Sequence, residues 1–416
     1  MPGLAYEDFY DPSYEPSDDD LVCTFRVTPA ADVSMPAAAS RVASESSNGT
    51  WAALDVAAAG FTDVSARAFD VAGDRVRIAY PSALFEPGNL PQVLSCVAGN
   101  VLGMTAVDRL RLEDCAWPAS LATSFPGPQF GSAVRTELLD AEDRPVLATV
   151  PKPKVGLSPE RHAEVGFQAW TGGVDLLKDD ENLTDQPFNP FADRLDASLA
   201  RRDEAEDLTG QRKGYLVNVT AETETMLDRV DAVAERGGRF VMVDVVTVGW
   251  AALQSVRERC GRLGLAIHAH RAMHAAFDRV PDHGVSFRCL AGFARLAGVD
   301  QLHTGTAGLG KLENEDTPGV NEWLRSDLHG LRDVLPVASG GLHPGLVPAL
   351  LDALGTDLVI QAGGGVHGHP DGTHAGAKAL RQATHAAMDG LPLEDAAGNL
   401  PELAAALETW GTATPR

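Results

Sequence analysis

The sequence predicts an α/β protein, with a C-terminal (β/α)8 barrel preceded by a smaller α+β domain. Three observations carry that expectation. The chain has 416 residues, more than a single ordinary domain of roughly 100–200 residues holds. From about Pro145 onward, eight short apolar runs rich in β-branched residues recur, with amphipathic helical stretches between them. Upstream of that point, strand-like and helix-like runs mix without that rhythm.

Taken in order, residues 1–20 are acidic and lack the basic-then-apolar pattern of a secretion signal, so they read as a flexible lead-in. Residues 21–130 form the expected N-terminal domain. Its strand-like runs are VCTFRVTP, TWAALDVA and RVRIAYP, and its helix-like runs are PAAASRVASESS and LPQVLSCVAGN. The Pro- and Gly-rich segment WPASLATSFPGPQFG, residues 117–131, reads as a connection. Residues 131–416 are expected to build the barrel and a C-terminal helix. The eight strand candidates are VLATVPKPK, GVDLLKDDEN, GYLVNVTA, FVMVDVVTVG, LAIHAHRA, QLHTGTAG, LPVASGG and LVIQAGGG. SPERHAEVGFQAWTGG and TAETETMLDRVDAVAERGG are typical of the amphipathic stretches between them.

Composition narrows the function classes. At 44% hydrophobic residues the chain can bury a sizeable core. It contains no run of about 18 apolar residues, so a membrane span is not expected. The formal net charge of −24 disfavours nucleic acid and anionic membrane as partners. Five cysteines, an odd number with no CxxC pair, argue against a disulfide framework and fit a reducing cytoplasm. There are six lysines against 28 arginines. Excess acid with scarce lysine is the surface of a protein that stays soluble in concentrated salt, and it points to a halophile. An acidic protein from a GC-rich genome is the blander account.

Scarcity makes the lysines informative, because an amine can lose its proton or be modified where a guanidinium cannot. Lys152, Lys154 and Lys178 fall at the carboxyl ends of the first two barrel strands, where barrel chemistry gathers. The strand ends also carry Asp180 and Glu181 beside Lys178, then Asn218, His268, His270, Arg271 and His303, and last Ser339-Gly340-Gly341 and Gly363-Gly364-Gly365. Each has a dull explanation: a strand-end His is commonly structural, a KDDE run a solvated loop, a Gly pair a turn. The dull accounts do not explain why most of the eight ends are charged or Gly-rich together. Asp180 and Glu181 offer hard oxygen ligands to Mg²⁺ but leave the set incomplete, and a carbamate formed from Lys178 and CO₂ would complete it. The two Gly-rich ends suit a phosphate, with Arg271 and His303 available for a second one. Lys311, flanked by glycines in GTAGLGKLENE, reads as part of a closing loop.

The string GGVDLLKDDENLTDQPFNP, with KPKVGLS before it and HAHRAMHAAFDR after it, resembles the large subunit of ribulose-1,5-bisphosphate carboxylase/oxygenase (Rubisco). ASESSNGTW, VAGNVLG, HTGT, GKLE, VASGG and QAGGGVHGHP extend the resemblance over nearly the whole chain, and the HTGTAGLGK spacing resembles the archaeal form III group. The resemblance implies a TIM barrel with a ferredoxin-like N-terminal domain. It implies carboxylation of ribulose 1,5-bisphosphate by CO₂ to two 3-phosphoglycerates, with O₂ as a side substrate. Lys178 would be carbamylated, would hold Mg²⁺ with Asp180 and Glu181, and would take the C3 proton. Lys152 would manage protons at C2, assisted by Lys154 and His270, and Lys311 would close over the site. Arg271, His303 and Ser339 would bind one phosphate. Thr50, Trp51, Gly341, Gly363 and Gly364 would bind the other, with Gly340 and Gln361 alongside. Glu45 and Asn100 would complete the neighbouring subunit's site. The partner implied is therefore a second copy, in a homodimer that can build larger rings, with no small subunit. In archaea the group is associated with pentose-phosphate salvage from nucleotides.

The chain departs from the plant-type pattern in its fourth strand, VDVVTVG, which lacks a His-Asp pair, and in the length of the strand-six loop. Two other functions compete. A Rubisco-like isomerase or enolase acting on another phosphorylated ketose would share the fold, but the intact Lys178, Lys311, Glu45 and Asn100 argue against it. A non-catalytic phosphosugar-binding protein would have little reason to keep lysines at these strand ends.

Overall fold

The structure is a computed structural model that describes residues 6–51, 61–310 and 316–413. Lys311 and most of the TWAALDVA run lie outside the described residues. The described strands are β1 Asp20–Pro29, β2 Arg67–Ala72, β3 Arg75–Pro81, β4 Val107–Ala116, β5 Val146–Thr149, β6 Leu176–Lys178, β7 Gly214–Asn218, β8 Phe240–Asp244, β9 Ala266–His270, β10 Gly284–Val285, β11 Gln301–His303, β12 Leu335–Ser339 and β13 Val359–Gln361. The chain divides into two compact units. One takes residues up to Gly127 with Met273–Ala297 and Asp327–Leu331, and the other takes Pro128–Ala272, Gly298–Ser326 and Arg332 onward.

The first unit is built on a five-stranded sheet in the order β10-β4-β1-β3-β2. It is mixed, because β10 joins the edge parallel to β4 while the other pairs are antiparallel. Alternation explains the packing of β1: Leu21, Cys23, Phe25 and Val27 are buried while the residues between them are partly exposed. The helix Met35–Glu45 begins on a Ser34 side chain that accepts the Ala37 N–H, with proline in its first turn. Residues 6–20, which composition marks as a flexible lead-in, are packed against this unit. Phe9 is buried, its N–H donates to Ser40 Oγ at 3.0 Å, and Asp11 N–H donates to Ala68 O at 2.9 Å. One buried apolar side chain and hydrogen bonds to the unit hold a segment that is acidic on average.

The second unit is the expected closed parallel barrel, with order β11-β12-β13-β5-β6-β7-β8-β9. Its strands are short and buried on both faces, which explains why they read as continuous apolar runs. Val146, Ala148, Leu176, Leu216, Phe240, Met242, Val337 and Val359 belong to one buried cluster. The helix Pro159–Gly172 shows how the connections are defined. Ser158 caps the Arg161 N–H, Pro159 opens the first turn, and Gly173 ends the helix at φ 119°, a left-handed conformation that glycine adopts without strain. Asp175, just before β6, accepts from Arg144 at 2.7 and 2.8 Å, from Arg381 at 2.9 Å and from the Leu147 N–H at 2.8 Å. This knot ties the entry of β6 to its neighbours.

Candidate active site

Within the barrel unit, a cavity of about 310 Å³ is lined by Val150, Lys152, Lys154, Asp180, Glu181, His270, His303, Ser339, Gly340, Gly341, Gln361, Gly363 and Gly364. Nearly all of these residues stand at or just after the carboxyl ends of the strands. A larger cavity, about 630 Å³, opens among Arg135, Asp140, Arg144, Arg212 and His385. Its guanidinium groups are already committed, Arg144 to Asp175 and Arg212 to Asp140 and the carbonyls of residues 136, 137 and 139. We place the chemistry in the smaller cavity, where amines, carboxylates and imidazoles face one space.

Lys178 ends β6 and is fully buried, with Nζ 2.8 Å from the Asp179 carbonyl and 3.6 Å from Glu181 Oε2. Burial pushes its amine below the ordinary lysine range, although Glu181, Asp244 and Asp180 pull the other way. Glu181 would be raised by burial, but His270 and Lys178 outweigh that and hold it at about 2. Asp180 Oδ1 accepts from Asn182 Nδ2 at 3.0 Å, and its Oδ2 lies 3.4 Å from Lys152 Nζ. Gly363 leaves room for Lys152, since a side chain there would begin 3.1 Å from Lys152 Cε. Gly340 at φ 109° and Gly341 at φ 84° take left-handed conformations that favour glycine.

His270 Nδ1 lies 2.6 Å from Asp244 Oδ1 and its Nε2 lies 3.6 Å from Glu181 Oε2. His303 Nδ1 lies 2.7 Å from Ser339 Oγ, and the His268 and His303 rings meet edge to face. Burial depresses the imidazoles: His268 falls to about 3 and His303 well below its ordinary value. Arg271 is buried directly after β9 and does not line the cavity.

Among the described residues, no group of three or more His, Cys, Asp and Glu side chains is arranged to hold a metal. The cavity wall offers two carboxylates, Asp180 and Glu181, with the Lys178 amine behind them. That donor set suits a hard divalent cation once the amine bears an anionic oxygen group.

The remaining candidates lie in the first unit. Glu45 and Asn100 share a cleft of about 600 Å³ with Tyr6, Arg41 and Thr105, and the Tyr6 hydroxyl donates to Glu45 Oε2 at 2.9 Å. Thr50 is half-buried, and Trp51 is 81% exposed, a large apolar ring left in water.

Two carboxylates escaped the sequence reading. Asp244 is the last residue of β8 and supplies His270 with a partner, although its strand lacks the His-Asp pair of the plant type. The rule that picked out the other strand ends would have found it. Asp179 belongs to an acidic run in the sequence, yet it is fully buried and bound by Arg194, Tyr215 and the Asn218 N–H. Nothing local distinguishes it from its exposed equivalents.

The chain matches known proteins over nearly its whole length. A family model described as ribulose bisphosphate carboxylase large chain, catalytic domain, matches residues 131–410, and the corresponding N-terminal domain model matches residues 8–121. A ribulose bisphosphate carboxylase of Pyrococcus abyssi is 50% identical over 417 residues, covering 99% of this chain and 98% of that one. One from Methanosarcina barkeri is 44% identical over 426 residues, covering 97% and 99%. Among solved structures, the octameric Rubisco of Pyrococcus horikoshii OT3 matches with a TM-score of 0.95 and 49% identity, covering 99% of this chain and 98% of that one. The dimeric archaeal Rubisco of Hyperthermus butylicus matches with a TM-score of 0.92 and 46% identity, covering 98% and 100%.

Proposed function

Because the chain belongs to the ribulose bisphosphate carboxylase large-chain family, we propose that it joins CO₂ and water to ribulose 1,5-bisphosphate, giving two 3-phosphoglycerates. The observation that carries this reading is the buried Lys178 amine, 3.6 Å from Glu181, behind the Asp180 and Glu181 wall of a cavity whose other lining is mainly lysine, histidine and glycine, with Val150, Ser339 and Gln361. Held by Asp180, Glu181 and a Lys178 carbamate, Mg²⁺ would supply a Lewis acid for the enediolate oxygens, beside an anionic base for the C3 proton. The amine reaches that state by attack of its lone pair on CO₂. A C–N bond would form and one proton leave, and a lysine whose pKa burial lowers gives up that proton more readily than an exposed one.

The protein's own groups do the rest. Lys152, 3.4 Å from Asp180, would move a proton at C2, with Lys154 lining the same cavity. Asp244 accepts from His270 Nδ1–H and so fixes which ring nitrogen faces Glu181 and the cavity. Arg271 serves one phosphate end of the substrate, and Ser339, hydrogen-bonded to His303, takes a substrate hydroxyl. The glycine turns at 340–341 and 363–364 serve the other phosphate end, with Gln361 beside them, and we assign Thr50 and Trp51 to the same phosphate. Lys311, outside the described residues, would bear on the new carboxylate. We assign Glu45 and Asn100 to the site of a second copy, and propose a homodimer that can assemble further without a small subunit. O₂ would compete for the same enediolate, and the pathway served would be pentose-phosphate salvage. The acidic, lysine-poor surface supports work in concentrated salt, in the cytoplasm of a halophile, and among the described residues no helix is long and apolar enough to cross a membrane.

The test is ribulose-bisphosphate-dependent fixation of labelled CO₂ into acid-stable product, after incubation with Mg²⁺ and bicarbonate in concentrated potassium chloride. Fixation that requires both Mg²⁺ and preincubation with bicarbonate is the expected result. Folded, oligomeric protein that fixes nothing as salt and oxygen are varied would sink the reading and favour an isomerase acting on another phosphorylated ketose. In the same assay Asp244→Asn should keep the assembly and lower turnover by roughly 10- to 100-fold, the usual cost of losing a carboxylate that orients a site residue. Wild-type turnover from that variant would remove Asp244 from the machinery.

A further inference from the structure

We infer that Gln301 is a positioning residue for this site, setting through two buried histidines which way the Ser339 hydroxyl points its hydrogen. The inference rests on the reading of His303 and Ser339 as substrate-facing groups. Gln301 starts β11 and pairs directly with His268 on β9. Strand alternation puts His303 on the same side of β11, beside Ser339 at the end of β12. The four side chains form one hydrogen-bonded chain. Gln301 Oε1 lies 2.7 Å from His268 Nδ1, His268 Nε2 lies 2.8 Å from His303 Nε2, and His303 Nδ1 lies 2.7 Å from Ser339 Oγ.

The inventory of donors fixes the order of protons. An amide oxygen can only accept, so His268 carries its hydrogen on Nδ1. A neutral imidazole has one N–H, so His268 Nε2 accepts, and His303 donates from Nε2. His303 Nδ1 is then bare and takes the Ser339 hydroxyl hydrogen. Ser339 is left with lone pairs toward the cavity, where it accepts from a substrate O–H or a water. Burial keeps both rings neutral, so protonation does not scramble the order. Gln301 Nε2 is buried without a hydrogen-bond partner, so the amide contributes its oxygen to this chain and nothing else.

Removing the amide should reverse the chain. With no acceptor at Nδ1, His268 does better with a bare Nδ1 than with a buried N–H that has nowhere to donate. Its hydrogen moves to Nε2, His303 then donates from Nδ1, and the Ser339 hydrogen turns outward.

The test combines ¹⁵N-histidine spectra with kinetics. In wild type the shared proton, assigned by nitrogen–nitrogen coupling across the His268–His303 bond, should sit on His303 Nε2. In Gln301→Met it should move to His268 Nε2, with the KM for ribulose bisphosphate raised roughly five- to tenfold, the scale of one misdirected buried hydrogen bond, and kcat changed less than about threefold. Because the effect passes through Ser339, adding Gln301→Met to Ser339→Ala should raise KM no further than Ser339→Ala alone. Multiplicative effects in the double variant, or a shared proton already on His268 in wild type, would overturn the inference. Gln301→Asn, which keeps the amide but withdraws it by one methylene, tests the same coupling if the methionine variant does not fold. If Ser339→Ala leaves KM unchanged, the substrate-facing reading of Ser339 fails instead, and the wild-type spectrum still decides the proton order.

Discussion

Lys178→Ala should abolish CO₂ fixation, by at least about 10³-fold, while the chain still folds and assembles. The size of the loss follows from how much converges on one amine. Lys178 is the group that would complete the ligand set of Asp180 and Glu181, and it would also supply the base for the first proton transfer; general-base catalysis alone is worth roughly 10²- to 10⁴-fold. No neighbour can substitute. Lys152 is the nearer amine to Asp180, at 3.4 Å, but it is half-exposed and not set against Glu181. The control is binding of ribulose bisphosphate, which should persist, because the phosphate-facing groups stand on other strands. Substantial fixation by the alanine variant would remove Lys178 from the centre of the mechanism and the carbamate with it.

Asp179→Ala should be the most damaging change to stability, at about 3–5 kcal/mol, the range expected when one partner of a buried ion pair is removed. Asp179 and Arg194 are both fully buried, and the guanidinium Nε lies 3.1 Å from Asp179 Oδ2. Tyr215 donates its hydroxyl to the other oxygen at 2.7 Å, the Asn218 N–H donates at 3.0 Å, and His162 Nε2 stands 3.1 Å away. Burial would raise this carboxyl, but Arg194 and His162 outweigh it and hold it well below the usual range. Alternation along the chain sends Lys178 and Asp180 to one side and Asp179 to the other, where the helix Phe191–Thr209 supplies Arg194. The same backbone thus carries site groups on one side and their anchor on the other. Denaturant unfolding should show the lost stability, and fixation should fall as well because residues 178–181 lose that anchor. A variant with wild-type unfolding and wild-type activity would show that Arg194 can be satisfied without Asp179.

Much of the site was legible because it obeys a local rule. Short apolar strands end in residues that would be costly inside a core, and in a barrel those ends share one face. Lys152, Lys178, Asp180, Glu181, His270, His303 and the two glycine turns are all found that way. What escaped has partners far away in sequence. Asp244 and His270 are 26 residues apart, and Gln301 and His268 are 33 apart. Residues 6–20 escaped for another reason: average acidity hides the single apolar side chain, Phe9, that docks them.

The sequence by itself determined the barrel rhythm, the family and the inventory of reactive groups. Each is written in periodicity and in strings of adjacent residues, and both survive without knowledge of the fold. Only the tertiary structure decided which of those groups are held, and by what. Strand register pairs Gln301 with His268 and sets Asp244 against His270. A buried amine or carboxylate takes its character from how much water it loses and which charges replace that water, and both are properties of packing.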